Sequence, residues 1–150
     1  MGETQYAGSV LALANQIKRV YDTTTEHCGA QIRILNYVLR SCPDKVIYQK
    51  DIVEELHIRD ATVSVLLKKM EEKGIIRREK VVSDDRLKKI IPTKQTMEIK
   101  EQVVRHVSLL EKRLTEGIAS EELEVFSDVV QKMQNNMELS GKEIPTIKKV

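Results

Sequence analysis

Residues 60–78 read Asp60-Ala61-Thr62-Val63-Ser64-Val65-Leu66-Leu67-Lys68-Lys69-Met70-Glu71-Glu72-Lys73-Gly74-Ile75-Ile76-Arg77-Arg78. Val63, Leu66, Leu67 and Met70 recur at helical spacing and mark an inward face, while Thr62, Ser64, Lys68 and Lys69 fall outside it. Gly74 sits just past the last charged turn, where a left-handed helix cap is expected. From Ile75 the period changes. Ile75 to Val82 and Leu87 to Ile91 are β-branched runs, and the polar stretch Ser83-Asp84-Asp85-Arg86 lies between them as a turn. Pro92 closes the second run at a position where a missing donor is tolerable. A helix followed by a β-hairpin is the centre of the fold, and nothing else in the chain looks like a strand.

Upstream, Val10, Leu13, Ala14, Ile17, Val20 and Tyr21 predict a first helix that ends in the Asp22-Thr23-Thr24-Thr25 run. Ile32, Leu35, Val38 and Leu39 predict a second helix, stopped by Pro43. A short third helix spans Tyr48 to Leu56 and buries Ile52, Val53 and Leu56. His57-Ile58-Arg59 is a tight link into the fourth. Downstream, Thr93 caps one long helix, on the order of 20 residues, carrying Val103, Val104, Val107, Leu110 and Leu114. Gly117 breaks it. Ser120, followed by Glu121, Glu122 and Glu124, supplies a hydroxyl cap and an acidic first turn for a last helix. That helix is expected to bury Leu123, Phe126, Val129, Val130, Met133 and Met137. Residues 140–150 read as a polar tail.

Composition narrows the function. The 150 residues include 25 Lys+Arg and 23 Asp+Glu, a formal net charge of +2, with four Tyr, one Phe and no Trp. So few aromatic faces exclude a stacking platform for single-stranded nucleic acid. The near-neutral balance conceals an asymmetry. Residues 59–94 hold eleven Lys/Arg against six Asp/Glu, a net of +5; the rest hold fourteen against seventeen, a net of −3. Such a basic patch is the electrostatic footprint of phosphate binding. By charge alone it reads equally well as a solvated helix face with pairs such as Lys68 and Glu72.

Cys28 and Cys42 are too few and too irregular for a disulfide framework, and His27-Cys28 has no partner at metal-ligand spacing, so no metal and no cofactor are expected. No apolar run approaches the ~18 residues of a membrane span. The start, Met1 to Gln5, lacks a basic region followed by an apolar one. No membrane contact and a cytoplasmic location are the expectation. The chain has no G-x-S-x-G, phosphate loop, H-E-x-x-H or glycine-rich nucleotide fingerprint, so no enzyme is expected.

Helix, helix, hairpin, with basic residues on the second helix and the hairpin, is the order of a winged helix-turn-helix. Three pieces of it resemble the MarR (multiple antibiotic resistance regulator) family of transcription factors. Ala61-Thr62-Val63-Ser64 through Arg77-Arg78 looks like the family's recognition helix, terminal Gly and first wing strand. Asp84-Asp85-Arg86 matches its D-x-R wing signature, and Thr93 falls where its second wing strand ends in Leu-Thr. Pro92 replaces the usual Leu there, Thr96 stands where a Gly is frequent, and Val65 occupies a position where many members carry a polar side chain. The resemblance covers roughly residues 5–140.

It implies a mainly α fold with a small β-hairpin wing: a winged helix-turn-helix lobe at 30–93 and a dimerisation lobe from helices at 5–25 and 94–139. It also implies a homodimeric regulator of double-stranded DNA, a repressor at a pseudo-palindromic operator. The candidate DNA contacts are Gln49, Arg59, Thr62, Ser64, Val65, Lys68, Lys69, Asp84, Arg86 and Lys88. Arg86 is placed for a minor groove, and Asp84, two residues earlier on the same side, is placed to hold it. Members often bind a small aromatic or anionic effector between the lobes, for which Tyr21, His27, Arg33, Tyr37 and His106 are candidate polar lining; the alternative is that each is an ordinary packed or surface residue. Cys28, at the head of the second helix, is a candidate redox sensor. The rival reading is a winged-helix protein-interaction module that does not bind DNA.

Overall fold

The computed structural model describes residues 3–138 and 144–148. Its elements in chain order are α1 (Tyr6–Thr24), α2 (Gly29–Ser41), β1 (Ile47–Tyr48), α3 (Gln49–Leu56), α4 (Asp60–Glu72), β2 (Ile76–Val81), β3 (Asp84–Pro92), α5 (Lys94–Glu98), α6 (Lys100–Thr115) and α7 (Ser120–Glu138). The mainly α fold with a hairpin wing is therefore the observed one. The chain divides into two compact units, Met1–Ser108 and Leu109–Val150.

The core of the first unit follows from helical spacing. Ile32, Leu35, Val38 and Leu39 of α2 are buried together with Ile34, as are Ile52 and Leu56 of α3 and Val63, Leu67 and Met70 of α4. Ile47, Ile76 and Ile90 add one buried residue from each strand. Each such side chain contributes roughly 1.5–3 kcal/mol by leaving water. Val53 and Leu66, expected inside, are half-buried at the edge of this core.

The helix–turn–helix corner is made by His57, which adopts the left-handed conformation at φ 52° and ends α3. At the other end of α4, Gly74 has φ 73°. The Ile75 N–H bonds to the Met70 carbonyl (2.9 Å) and the Gly74 N–H to that of Glu71 (3.0 Å). This paired closure satisfies orphan carbonyls and turns the chain directly into β2.

Four expectations need correction. First, the sheet has three strands in the order β1-β3-β2, because Ile47 and Tyr48 pair antiparallel with Ile90 and Lys89. A two-residue strand has no period to read; its partner alone makes it a strand. Second, the hairpin turn is Val82-Ser83, with Val81 opposite Asp84, so Asp84 to Arg86 belong to β3 rather than to the turn. Third, the long helix after Thr93 is broken at Ile99 into α5 and α6. Thr93 does cap α5, accepting from the Thr96 N–H (3.4 Å). However, the Thr96 hydroxyl donates to the Ile75 carbonyl (2.8 Å) and the Thr93 hydroxyl to that of Gly74 (2.8 Å). These bonds pin α5 to the end of α4. Lys100 Nζ donates to the Cys42 carbonyl (3.0 Å), which fixes the start of α6 against the end of α2.

Fourth, no residue of α7 is buried. Phe126 is 56% and Met137 81% exposed, and Val129 and Met133 are also exposed. Within α1, Tyr21 is buried, whereas Tyr6, Val10, Leu11 and Leu13 are exposed. An amphipathic stripe gives the face that avoids water, not what covers it. The first backbone bond of α7 runs from Leu123 to Ala119, so Ala119 takes the cap position and Ser120 is the first helical residue. Of the tail expected at 140–150, residues 140–143 and 149–150 lie outside the described ones; 144–148 form no helix or strand.

Candidate nucleic-acid interface

Burial of Val63, Leu67 and Met70 decides which side of α4 faces out. At 100° per residue, Ala61, Val65 and Lys68 lie opposite that buried row, with Thr62 and Lys69 on one flank and Ser64 on the other. The solvent exposure agrees: Ala61, Thr62, Val65, Lys68 and Lys69 are exposed and Ser64 is half-buried. Arg59 is exposed immediately before the helix. Gln49, expected on the interface, is half-buried and its amide nitrogen donates to Asp60 Oδ1 (3.1 Å). That bond joins the first residues of α3 and α4 and holds the two helix starts in register. Asp60 itself was not among the sequence-derived candidates.

The wing carries Arg86 on a bulge. Lys80 pairs with Lys88 and Val81 with Asp84, so residues 85–87 of β3 have no counterpart on β2. A bulge of this kind re-aims side chains away from the sheet. The Arg86 side chain is 91% exposed. Its Nε donates to Asp84 Oδ1 (3.3 Å), and its backbone N–H donates to the same oxygen (3.0 Å). Asp84 thus holds both the backbone and the guanidinium of Arg86, the arrangement its two-residue spacing suggested. Lys88 is half-buried.

A second ion pair mounts the wing on the helix. Glu71 Oε1 accepts from Arg78 NH2 (3.1 Å) and Nε (3.4 Å), and Oε2 accepts from the Arg78 backbone N–H (2.9 Å). The Arg78 side chain is only 16% exposed. The Arg78 guanidinium beside Glu71, seconded by its backbone N–H, holds the carboxyl below its ordinary value. Arg78 is therefore a strut between α4 and β2, not part of the free basic surface. Sequence reading missed the pair. The signal was present as a Glu one turn before the capping Gly74 and an Arg four residues after it, but only the reversal at Gly74 brings them together.

Of the ligand candidates, Tyr21 and His106 come together. Their ring centroids are 6.1 Å apart, and His106 Nε2 lies 3.1 Å from Thr24 Oγ1. His27 is half-buried with Nδ1 buried and lacking a hydrogen-bond partner. Burial lowers its pKa, Lys73 adds to the effect, and Glu26 opposes it. Arg33 is exposed and Tyr37 half-buried on α2. A groove of about 240 Å³ between the end of α2, β1 and the base of the hairpin is lined by residues such as Val38, Cys42, Ile47, Lys89 and Pro92, and by none of the five candidates. Cys28 is exposed at the head of α2, its N–H donating to Gln31 Oε1 (3.4 Å). Among the described residues no His, Cys, Asp and Glu group could hold a metal, and no helix is long and apolar enough to cross a membrane.

A model of the MarR family matches residues 29–87. Over 91 residues the chain is 29% identical to YdgJ, an uncharacterized HTH-type transcriptional regulator of Bacillus subtilis, covering 61% of this chain. The match spans 56% of that relative's length. Two solved structures share the fold. The S. aureus MepR–DNA complex is 26% identical, with TM-score 0.77 over 89% of this chain and 99% of that one. The transcription regulator MarR from Oenococcus oeni is 26% identical, with TM-score 0.75 over 86% and 98%.

Proposed function

We propose that this chain is a MarR-family, sequence-specific regulator of transcription that binds double-stranded DNA as a homodimer; the family match at residues 29–87 and the fold around them support this reading. The family and the fold are those of transcriptional regulators. In this reading the outward face of α4 enters the major groove and the wing places Arg86 in the adjacent minor groove. The observation that carries it is the wing's construction: an arginine 91% exposed on a bulge, held by Asp84, on a strand bolted to α4 by Glu71 and Arg78. A rigid mount for an exposed cation has little use in a solvated surface. The MepR relative is seen with DNA, which supports the same use of this fold.

A single winged helix reads few base pairs, so two copies on paired half-sites are needed for specificity. The exposed apolar residues of α1 and α7 are surfaces of the kind a second copy would cover. In the same reading the bound dimer represses, and a small aromatic or anionic effector releases it.

Selection from random duplexes tests the proposal. The expected product is an inverted repeat with half-sites about one helical turn apart, roughly 10 base pairs, bound by a dimer in sedimentation. No enrichment, or a monomer at micromolar concentration, would overturn it.

A further inference from the structure

The outward face of α4 is built around an apolar residue, and that is unusual for a surface meant to meet a polyanion. Val65 is 54% exposed and lies opposite the buried row of Val63, Leu67 and Met70. One turn earlier, exposed Ala61 shares its face. The cations stand beside and beyond them: Arg59 before the helix, Lys68 and Lys69 one turn later, all exposed. A helix lying in a major groove with flanking cations on phosphates therefore presents an apolar ridge to the base edges. In that groove the one apolar group that projects from the bases is the thymine C5-methyl; cytosine offers only a C5–H there, and the other edge positions are hydrogen-bond donors and acceptors that a valine would leave unpaired.

We infer that Val65 is a specificity-determining residue that reads the 5-methyl group of a thymine in each operator half-site. The inference rests on the DNA-binding reading above. Val65 makes no contribution to the buried core, so its role is separable from folding. Its β-branched side chain has few rotamers and loses little freedom when it packs against a methyl group. A polar residue at this place would select a hydrogen-bonding edge instead, so the position also sets which base is excluded.

Duplexes selected by the full-length protein provide the probe. Each thymine in them is replaced in turn by deoxyuridine, which removes the methyl and leaves every hydrogen-bonding group in place. The wild-type protein should lose about fourfold in affinity at one symmetric thymine per half-site, and roughly fifteenfold when both are replaced, as expected for burial of one methyl group at each. With Val65→Ala the same replacements should have no effect, while the melting temperature stays at the wild-type value. Tight binding by the wild-type protein with no deoxyuridine effect at any thymine overturns the inference and leaves the proposed function standing. An equal deoxyuridine effect with Val65→Ala also overturns it, because another residue then makes the contact. Failure to select any duplex overturns both.

Discussion

Removing the Glu71 carboxylate tests whether the wing is held by α4 or merely lies beside it. Glu71→Ala deletes three bonds to Arg78 at 2.9, 3.1 and 3.4 Å and leaves a guanidinium that is only 16% exposed without its partner. Hydrogen bonds to charged groups contribute about 1.5–3 kcal/mol, and exposed ion pairs about 0–1 kcal/mol. Glu71 is 39% exposed, so solvent screening lowers the figure to roughly 1–2 kcal/mol. The effect carries a pH signature. Arg78 depresses the Glu71 pKa, so the stabilisation is full above the ordinary value of 4.5 and disappears as the pH falls through the lower folded value.

Urea unfolding of wild type and Glu71→Ala at fixed protein concentration, at pH 7 and again below pH 3, gives both numbers. The difference should be roughly 1–2 kcal/mol at neutral pH and shrink in acid. A loss of that size leaves the protein folded at 25 °C, so any accompanying fall in DNA affinity measures the wing's orientation rather than its population. A neutral-pH difference below about 0.3 kcal/mol, or one that persists unchanged in acid, refutes the strut.

Two further expectations follow from single side chains. Arg86→Ala should weaken operator binding about tenfold or more with an unchanged melting temperature, because its pair with Asp84 is exposed and contributes ~0.5 kcal/mol to folding; a gel-shift titration and a thermal melt check the two halves. His27 resists protonation in the folded chain because burial and Lys73 disfavour its charge. Below about 6.5 the unfolded chain takes up that proton first, so wild-type stability should fall with pH from 6.5 down to the lower folded value, and His27→Phe should flatten this slope.

What could be read in the sequence was local. The inward faces of α2, α3 and α4 follow from spacing within one helix, Gly74 from its place after the last turn, and the Asp84–Arg86 bond from a two-residue separation, although the strand that carries both was read as a turn. What escaped depends on residues far apart in the chain. β1 exists because Ile47 meets Ile90 across 43 positions. The break at Ile99 follows from Thr96 reaching back to Ile75, a bond that no helical period reports. The bond from the Gln49 amide to Asp60, eleven residues on, likewise joins two helices and has no signature within either one. The exposed stripe of α7 is the same limitation in another form: periodicity identified an apolar face, yet no residue of α7 is buried.

The salt dependence of duplex binding tests the central claim most directly. Each phosphate neutralised by Lys or Arg adds about −0.9 to the slope of log K against log salt concentration. If about four of the exposed or half-buried cations Arg59, Lys68, Lys69, Arg86 and Lys88 of each protomer meet phosphates or the minor groove, the dimer should show a slope near −7. Fluorescence anisotropy with a labelled operator duplex between 50 and 200 mM salt measures it. A slope flatter than about −2 would mean that the basic helix and wing do not lie on DNA, and would contradict the account.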